Sequence, residues 1–385
     1  IFDDYERDLR VWNFKRLLAQ KYDVVVTNPP YAGSSGIHAK LVDFLKEKFP
    51  VTKSDLFSAF IERCCEFAKL HAYIAMITQQ AWMFLASYEK LRSFLAEGFT
   101  CTSMVHLGNG SFGMADYGLT TFVYQKNRLP MYIGVYHRLV DENNPEWKEK
   151  EFLSGNSRFL ANCDDFSKIP GSPIAYWVSK AVLRVFDVGD SLGNIAKPRS
   201  GQNTGDNERF VRIWHEVSSN NSAYNIEFKS VNDYNGLKWI PYNKGGEYRK
   251  WYGNYDRLIN WANDGQEVKA YAVIRNNGKH WSRYIQNIDF LYKEGFTWSV
   301  VTSGRFSMRY LPKGFICDYA GCAVFPKHNE IFTLLGIVNA KFVANILSAL
   351  NPTLNMQPGN IASIPVILCR DKDPDINNLV ENCIS

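Results

Sequence analysis

Asn28, Pro29, Pro30 and Tyr31 are the residues whose types and spacing are best suited to chemistry. One reaction that these residues suit is alkylation of the exocyclic amine of adenine. This amine is a poor nucleophile because its lone pair is delocalised into the ring. Two acceptors placed against its two N–H bonds pull the nitrogen toward a tetrahedral geometry and aim the lone pair at an electrophile. The Asn28 side-chain carbonyl can supply one acceptor and the Pro29 main-chain carbonyl the other. Tyr31 offers a flat face on which a base turned out of its duplex can stack.

The sequence before this tetrapeptide supports the same interpretation. Residues 22–27, YDVVVT, are rich in β-branched side chains and predict a buried parallel strand that the two prolines end. Alkylation at such a site requires neither a general base nor a metal ion. The alternative is a rigid polyproline turn before a helix, with no chemical role.

A second motif has the spacing of a nucleotide-binding loop. Gly108, Gly110 and Gly113 form a G-x-G-x-x-G pattern after a predicted strand. The residues that follow have a strand pattern, so no helix would direct its N-terminus at a phosphate. We therefore predict a hairpin loop here and no dinucleotide site.

The remaining candidates give weaker signals. His38, His71 and His106 have no paired carboxylate or nucleophile in the sequence pattern, and we expect them to be structural. Cys317 and Cys322 are five residues apart, without partners to complete a metal site. The sequence predicts no bound metal.

The elements around the tetrapeptide alternate as in an α/β sheet. Strands are predicted over 22–27, 73–78, 102–107, 119–125 and 131–139, the third and fourth as an antiparallel pair. Helices are predicted over 38–49, from an N-cap at Ser54 to Phe67, and over 80–97. Residues 141–193 are polar and interrupted by Pro and Gly, which predicts a linker. Beyond them we expect short strands, one helix over 331–350 and a solvated tail over the last fifteen residues.

Length and composition limit the class of protein. A chain of 385 residues with 46% hydrophobic and 15% aromatic residues predicts two globular domains rather than a disordered or fibrous protein. No apolar run reaches the ~18 residues of a membrane span, and no signal-peptide pattern opens the sequence. The eight cysteines are scattered, as expected for reduced thiols, and we expect a cytoplasmic protein without a membrane partner.

The net charge of +5 is unevenly distributed. The first 190 residues are neutral, with 22 basic and 22 acidic residues, whereas the rest of the chain is basic and holds six of the ten tryptophans. A basic, aromatic-rich region suits a polyanion such as DNA, and an ordinary basic domain is the alternative. The residues expected near DNA are Lys197, Arg199, Arg209, Arg212, Arg249, Lys250, Arg275, Asn276, Asn277, Lys279, Arg305 and Arg309.

Through the tetrapeptide at residues 28–31, the chain resembles the amino-group DNA methyltransferases. In that family an [N/D]-P-P-[Y/F] motif ends the fourth strand of a sheet that binds S-adenosylmethionine. The segments NPPYAGSSG, KSDLFSAFIERCCEF and YIAMITQQAWMFLASYEKLRSFL resemble the adenine-N6 methyltransferases of BREX phage-defence systems, the PglX type. These are relatives of fused restriction-modification methyltransferases. GQNTGDNERFVRIW, SVVTSGRFSMRYLPKG and LNPTLNMQPGNIASIPV resemble their target-recognition region.

The resemblance implies a fold, a reaction and partners. It implies a partial class I methyltransferase (Rossmann-like) sheet in residues 1–140 and a mixed α+β target-recognition domain in residues 194–385. It implies methyl transfer from S-adenosylmethionine to a flipped-out adenine of double-stranded DNA, with other defence-system proteins as further partners. Phe112 matches an aromatic residue that packs against the flipped base in these enzymes; a core phenylalanine is the alternative.

The sequence departs from this family at its start. The family's glycine-rich cofactor loop and ribose-binding acidic residue precede the NPPY motif, and only 27 residues do so here. We therefore expect that the chain lacks the cofactor-binding half, leaves only Asn28 near the transferred methyl group, and is inactive alone. Two alternatives stay open: a DNA-specificity module without activity, and the methyltransferase part of a fused restriction endonuclease.

Overall fold

The fold is that of a computed structural model, which describes residues 2–33, 36–112, 118–224, 226–301, 305–327, 330–351 and 355–385. The chain divides into two compact units, Ile1–Leu183 and Arg184–Ser385. Each unit combines helices with β-sheet, so the protein has a mixed α/β fold with several separate sheets.

The first unit contains one six-stranded sheet, with strand order β1-β2-β4-β3-β5-β6. Its strands are β1 Tyr22–Thr27, β2 Ala68–Gln79, β3 Thr100–Gly108, β4 Leu119–Gln125, β5 Ile133–Arg138 and β6 Arg158–Asn162. β1 pairs with β2 in parallel, and β4 is antiparallel to both β2 and β3. The carboxyl ends of β1, β2 and β3 therefore lie at the same edge of the sheet. The predicted strands 22–27 and 119–125 are confirmed, as is the antiparallel pair.

The helices of the first unit are α1 Phe2–Ala19, α2 Ala39–Lys48, α3 Leu56–Phe67, α4 Glu89–Gly98 and α5 Pro145–Ser154. α3 and α4 pack on the sheet through a core that includes Phe57, Ile61 and Leu91 against Ile74 and Phe122. β1 forms an edge of the sheet, and its Val24 and Val26 side chains are 60% and 69% exposed, so the prediction that this strand is buried is wrong.

The predicted helix 80–97 is wrong in its first half. Residues Gln80–Met83 and Ala86–Tyr88 form two 3-10 turns, and the α-helix begins only at Glu89. The buried Arg92 guanidinium donates to the carbonyl oxygens of Trp82 and Leu85, both at 2.8 Å, and also to the carbonyl of Gly171. A continuous α-helix would have used the Trp82 and Leu85 carbonyls for its own hydrogen bonds.

Much of the region 141–193, which the sequence predicts to be a linker, is regular structure. Asn144 is the N-cap of α5, where its side chain accepts from the backbone N–H groups of Glu146 and Trp147, and Pro145 takes the first turn. This is the common way to begin a helix, and the polar Asn-Pro pair that predicts a break serves as a helix start. β6 then extends the sheet by pairing antiparallel with β5.

The second unit contains three sheets, with strand orders β14-β10-β11-β9, β13-β12-β15-β8 and β16-β7. Its strands are β7 Asp190–Ser191, β8 Ala196–Arg199, β9 Val211–Ile213, β10 Trp239–Asn243, β11 Arg257–Asn260, β12 Gly295–Thr297, β13 Arg309–Leu311, β14 Ile316–Cys317, β15 Ala323–Pro326 and β16 Pro365–Val366. The buried Asn243 amide donates to Thr297 Oγ1 at 2.6 Å and so links the two four-stranded sheets.

α6 Lys180–Val188 spans the boundary between the units. The helices after it are α7 Leu192–Ile195, α8 Asn207–Phe210, α9 Ala262–Arg275, α10 Ile331–Val338, α11 Lys341–Leu350, α12 Pro358–Ala362 and α13 Asp373–Ile384. Within the described residues no single helix is long and apolar enough to cross a membrane, although α10 and α11, bent by 73°, pass that test together by length and composition. All eight cysteines are free thiols.

Two predictions for the C-terminal region are wrong. The single helix over 331–350 is broken between α10 and α11, where the Asn339 side chain bonds both the N–H and the carbonyl of Met308. The last fifteen residues are not a tail, because α13 packs on α10 through Val380, which is buried, and Thr333 Oγ1 donates to Asn377 Oδ1 at 2.8 Å.

Candidate active site

The NPPY tetrapeptide follows β1 directly, at the edge where the carboxyl ends of β1, β2 and β3 lie. Asn28 is exposed, Pro29 is buried and Tyr31 is half-buried. The Tyr31 ring packs edge-on against Phe57 of α3, with ring centroids 6.3 Å apart and planes at 86°. The hydrophobic core of the first unit therefore fixes the tyrosine, and the asparagine faces solvent.

The Tyr31 hydroxyl lies within hydrogen-bonding distance of Asn28 Oδ1, the acceptor that the sequence predicts. Its Oη lies 3.0 Å from Asn28 Oδ1 and 3.3 Å from the Ile77 carbonyl oxygen of β2. Burial raises the pKa of Tyr31, so the phenol is a neutral donor at physiological pH. A carbonyl oxygen has two lone pairs, and the tyrosine occupies one of them. Asn28 Oδ1 thus keeps one acceptor position, and no hydrogen bond from the described residues reaches the Pro29 carbonyl.

Asp55 is a site residue that the sequence analysis missed. It is the N-cap of α3, where Ser54 was predicted, and its Oδ1 accepts from the backbone N–H of Phe57 at 3.2 Å and of Ala32 at 3.1 Å. The Leu56 N–H donates in return to the Ala32 carbonyl at 3.1 Å. Burial raises the pKa of Asp55, although the backbone N–H groups lower it in part. One carboxylate therefore fixes both the start of α3 and the residue after Tyr31.

We predict that Asp55→Ala lowers the free energy of unfolding by about 1–2 kcal/mol, because it removes a helix cap and leaves the Ala32 N–H without its acceptor. Chemical denaturation of the chain measures this loss. Ser54→Ala is the matched control, since Ser54 is the exposed neighbour that does not cap, and we expect a change below about 0.5 kcal/mol. Equal losses in the two variants would contradict the assignment of Asp55.

The glycine motif begins at Gly108, the last residue of β3, and Gly110 follows in the loop toward β4. β3 and β4 are antiparallel neighbours, so the predicted hairpin is confirmed. Gly108 and Gly110 have positive φ values of 65° and 74°, which glycine adopts readily, whereas Gly113 lies outside the described residues. The loop is at the same edge of the sheet as the tetrapeptide. Phe112 is 71% exposed, so it is not a core residue, and its contact with a base stays a prediction.

His106 is buried on β3, as expected for a structural histidine. Its Nε2 lies 2.6 Å from Gln80 Oε1, and its Nδ1 lies 3.2 Å from the Tyr176 hydroxyl. Burial, together with the positive charges of Arg138 and Lys148, lowers the pKa of His106 to about 3. These partners suit a neutral imidazole that donates from Nε2 and accepts at Nδ1. His38 caps α2, with Nδ1 accepting from the Lys40 N–H.

This burial predicts a pH dependence. The folded-state pKa lies below the usual value near 6.5, so the neutral form stabilises the fold, and this contribution is lost as pH falls from about 6.5 toward 3. Between pH 7 and pH 5 the loss is about 2 kcal/mol of unfolding free energy. Urea unfolding at the two pH values should show it, and His106→Gln should show a pH dependence smaller by that amount. The same dependence in the variant would contradict the prediction.

The basic residues of the second unit differ in exposure. Among the residues predicted to contact DNA, the exposed ones are Lys197, Arg209, Arg249, Lys250, Lys279, Arg305 and the neutral Asn277, and the half-buried ones are Arg199, Arg212 and Arg275. Asn276 is buried, and its amide donates to the His280 carbonyl at 2.8 Å. Arg275 Nη1 lies 3.2 Å from Asn203 Oδ1, and its guanidinium lies over the Tyr284 ring. Arg309 is also buried, at 1% exposure.

Comparison with known proteins extends these observations. Residues 3–112 match the Eco57I restriction-modification methylase family. The chain is 40% identical over 359 residues to the adenine-specific methyltransferase BrxX of Escherichia coli O9:H4 (strain HS), covering 91% of the chain and 28% of that protein. It is 37% identical over 386 residues to the adenine-specific methyltransferase PglX of Lacticaseibacillus casei (strain Zhang), covering 96% of the chain and 31% of that protein. The chain thus spans less than a third of either curated relative.

A solved structure shares the fold at low sequence identity. The Type IIL restriction-modification enzyme MmeI, determined in complex with DNA, matches with a TM-score of 0.58 and 12% identity, over 93% of this chain and 48% of that one. The resemblance predicted from the motifs is confirmed: over more than nine-tenths of its length, the chain matches one portion of the adenine-specific methyltransferases of the BrxX and PglX type.

Proposed function

We propose that this chain is the target-base and DNA-recognition portion of a site-specific DNA adenine-N6 methyltransferase that acts in phage defence or restriction-modification. Its first unit would be part of a class I methyltransferase sheet, and its second unit the target-recognition domain. The observation that carries the proposal is the pair of acceptors at the end of β1, Asn28 Oδ1 and the Pro29 carbonyl, in a chain similar to adenine-specific methyltransferases.

The proposed mechanism assigns each residue of the tetrapeptide a task. Asn28 Oδ1 accepts one N–H of the adenine amine and the Pro29 carbonyl accepts the other, which concentrates the lone pair on N6 and orients it. The Tyr31 hydroxyl holds the Asn28 carbonyl in place through its 3.0 Å hydrogen bond. N6 would form the new bond to the methyl carbon with its lone pair while the methyl–sulfur bond breaks and its electron pair leaves on the sulfur of S-adenosylhomocysteine. N6 would then release a proton to water, without a dedicated base.

S-adenosylmethionine, when bound, supplies the methyl group. The described residues offer it little surface: Asn28 and Tyr31 stand at the end of β1, and the glycine-rich loop of this unit leads into strand β4 rather than a helix. A cofactor cradle of the kind that a glycine loop and a helix N-terminus form is therefore not found among these residues. We propose that the isolated chain neither binds the cofactor measurably nor methylates DNA.

Transfer of a labelled methyl group tests the function. The intact enzyme should incorporate label from S-adenosylmethionine into duplex DNA, and nucleoside analysis should identify the product as N6-methyladenine. The 385-residue chain alone should incorporate none. A product methylated at cytosine, or no product from the intact enzyme on any duplex, would contradict the proposal.

A further inference from the structure

A basic loop in the second unit borders a large cleft. The loop, residues 244–256, joins β10 to β11 and has the sequence KGGEYRKWYGNYD. The cleft has a volume of about 770 Å³ and is lined by most of this loop together with Tyr224 and Arg257. Its walls include three cationic side chains, Lys244, Arg249 and Arg257, two carboxylates, Glu247 and Asp256, and three tyrosines. Asp256 pairs with Arg257 at 3.2 Å, which leaves Arg249 and Lys244 as the cations available to an anion. Cationic and aromatic groups in one cleft suit a nucleic acid, whose phosphates and bases need both.

Strand β13 and the two residues before it, Ser307 and Met308, hold this loop in a defined conformation. The Trp251 N–H donates to the Met308 carbonyl at 3.1 Å, and the Tyr310 N–H donates to the Trp251 carbonyl at 2.8 Å. Ser307 Oγ donates to the Arg249 carbonyl at 2.9 Å. Gly253 has a φ of 116°, and a Cβ there would lie 2.6 Å from Arg249 Cδ. The loop is therefore preorganised, with Arg249 lying across a glycine at the cleft.

A buried arginine lies beside this cleft, and no carboxylate among the described residues pairs with it. Arg309 is 1% exposed, and its Nε and Nη2 have no hydrogen-bond partner among the described residues. The charged and titratable groups that act on it are Arg249 and Tyr255, both of which line the cleft. A buried cation normally has a carboxylate beside it, because burial without one is unfavourable. An anion bound at Arg249 in the cleft would also be attracted by the buried charge of Arg309.

We propose that this cleft binds a phosphate group of the DNA backbone, with Arg249 as the contacting residue and Arg309 as a positioning residue that adds buried positive charge. The inference rests on the proposed DNA-binding function of the second unit. A buried charge is less screened by salt than a surface charge, so Arg309 strengthens the attraction at Arg249. The planar guanidinium of Arg249 has the geometry to donate to two phosphate oxygens. The side chains of Tyr248 and Tyr252 are exposed and would contact sugar or base.

Fluorescence anisotropy with labelled duplex DNA, measured on the 385-residue chain over a range of salt concentrations, tests the proposal. We expect Arg249→Gln to weaken binding about tenfold and to lower the slope of log K against log salt by about one, as for one lost phosphate contact. Lys341→Gln, which removes an exposed charge at the start of α11 and does not line the cleft, is the matched control and should change affinity less than twofold.

Two variants of the buried residue complete the experiment. Arg309→Met should reduce affinity and Arg309→Lys should retain most of it; if Arg309→Met fails to fold, Arg249→Gln decides the question. Wild-type binding that Arg249→Gln leaves unchanged would overturn this inference alone, whereas absence of binding by the wild-type chain would overturn it together with the proposed DNA binding. Equal competition by inorganic phosphate at matched ionic strength, or binding of an acidic protein in place of DNA, would also overturn it.

Discussion

In the intact enzyme, Asn28→Ala is expected to lower the rate of methyl transfer to adenine N6 by about 100- to 1000-fold, the usual effect of removing one preorganised hydrogen-bonding group from a reacting centre. Affinity for duplex DNA should stay within about twofold, because Asn28 lies at the end of β1 in the first unit and the proposed phosphate contacts lie in the second. A fall in kcat with little change in DNA affinity is the signature of an interaction made with the reacting amine.

Two further variants separate the acceptor from the residue that holds it. Asn28→Asp keeps an oxygen at the position of Oδ1 and should retain part of the activity. Tyr31→Phe keeps the ring that packs on Phe57 but removes the hydroxyl that lies 3.0 Å from Asn28 Oδ1, so we expect a smaller loss than for Asn28→Ala. Single-turnover methylation of one labelled duplex measures all three. A near-normal rate for Asn28→Ala would refute the role assigned to this residue.

The NPPY tetrapeptide and its strand were predictable because their signals are local. Residues 22–27 carry the β-branched run of a parallel strand, the prolines end it, and β1 has those bounds in the structure. Asp55 was not predictable as a site residue, because its second contact is to Ala32, 23 positions away. Even its capping role was ambiguous, since Ser54 and Asp55 are both good N-cap residues and stand side by side.

The errors in the fold have the same origin in contacts between distant residues. The helix predicted over 80–97 has the right apolar spacing, but its first turns give their carbonyls to Arg92, which Gly171 also holds from 79 positions away. The break between α10 and α11 depends on Asn339, whose partner Met308 is 31 positions away. The burial of Arg309 was also not predictable from local sequence. Its charge predicts exposure, whereas a loop that precedes it by more than fifty residues covers it in the structure.

The second large expected effect is a steep loss of affinity for duplex DNA as the salt concentration rises. Residues 191–370 carry 21 basic and 13 acidic residues, and the exposed candidates for DNA contact all lie in this part of the chain. If about four of them contact phosphates, log K should fall with log salt at a slope near −3.6, and raising salt from about 50 to 200 mM should weaken duplex binding about 100-fold. The 385-residue chain is sufficient for this measurement, because the effect requires no cofactor.

A pair of matched substitutions locates the effect within the chain. Lys279 is exposed in the basic region, and Lys150 is exposed on α5 of the electrically neutral first 190 residues. If Lys279 contacts a phosphate, Lys279→Gln should make the slope of log K against log salt less negative by about one. Lys150→Gln should leave this slope unchanged. A weak salt dependence in the wild-type chain, or an equal response to both substitutions, would show that the charge excess of the second unit is ordinary surface charge.

The slope of duplex affinity against salt also distinguishes a surface whose cations converge on one duplex from a surface whose cations are dispersed. Counterion release depends on the number of phosphates that the protein neutralises, not on its net charge, so a protein with a small net charge of +5 can still show a steep slope if its cations converge on the DNA. Dispersed surface cations cannot reach one duplex together and would give a slope near −1. A measured slope steeper than about −3 therefore requires several basic residues of the second unit to face the duplex at once, which is what a target-recognition domain needs.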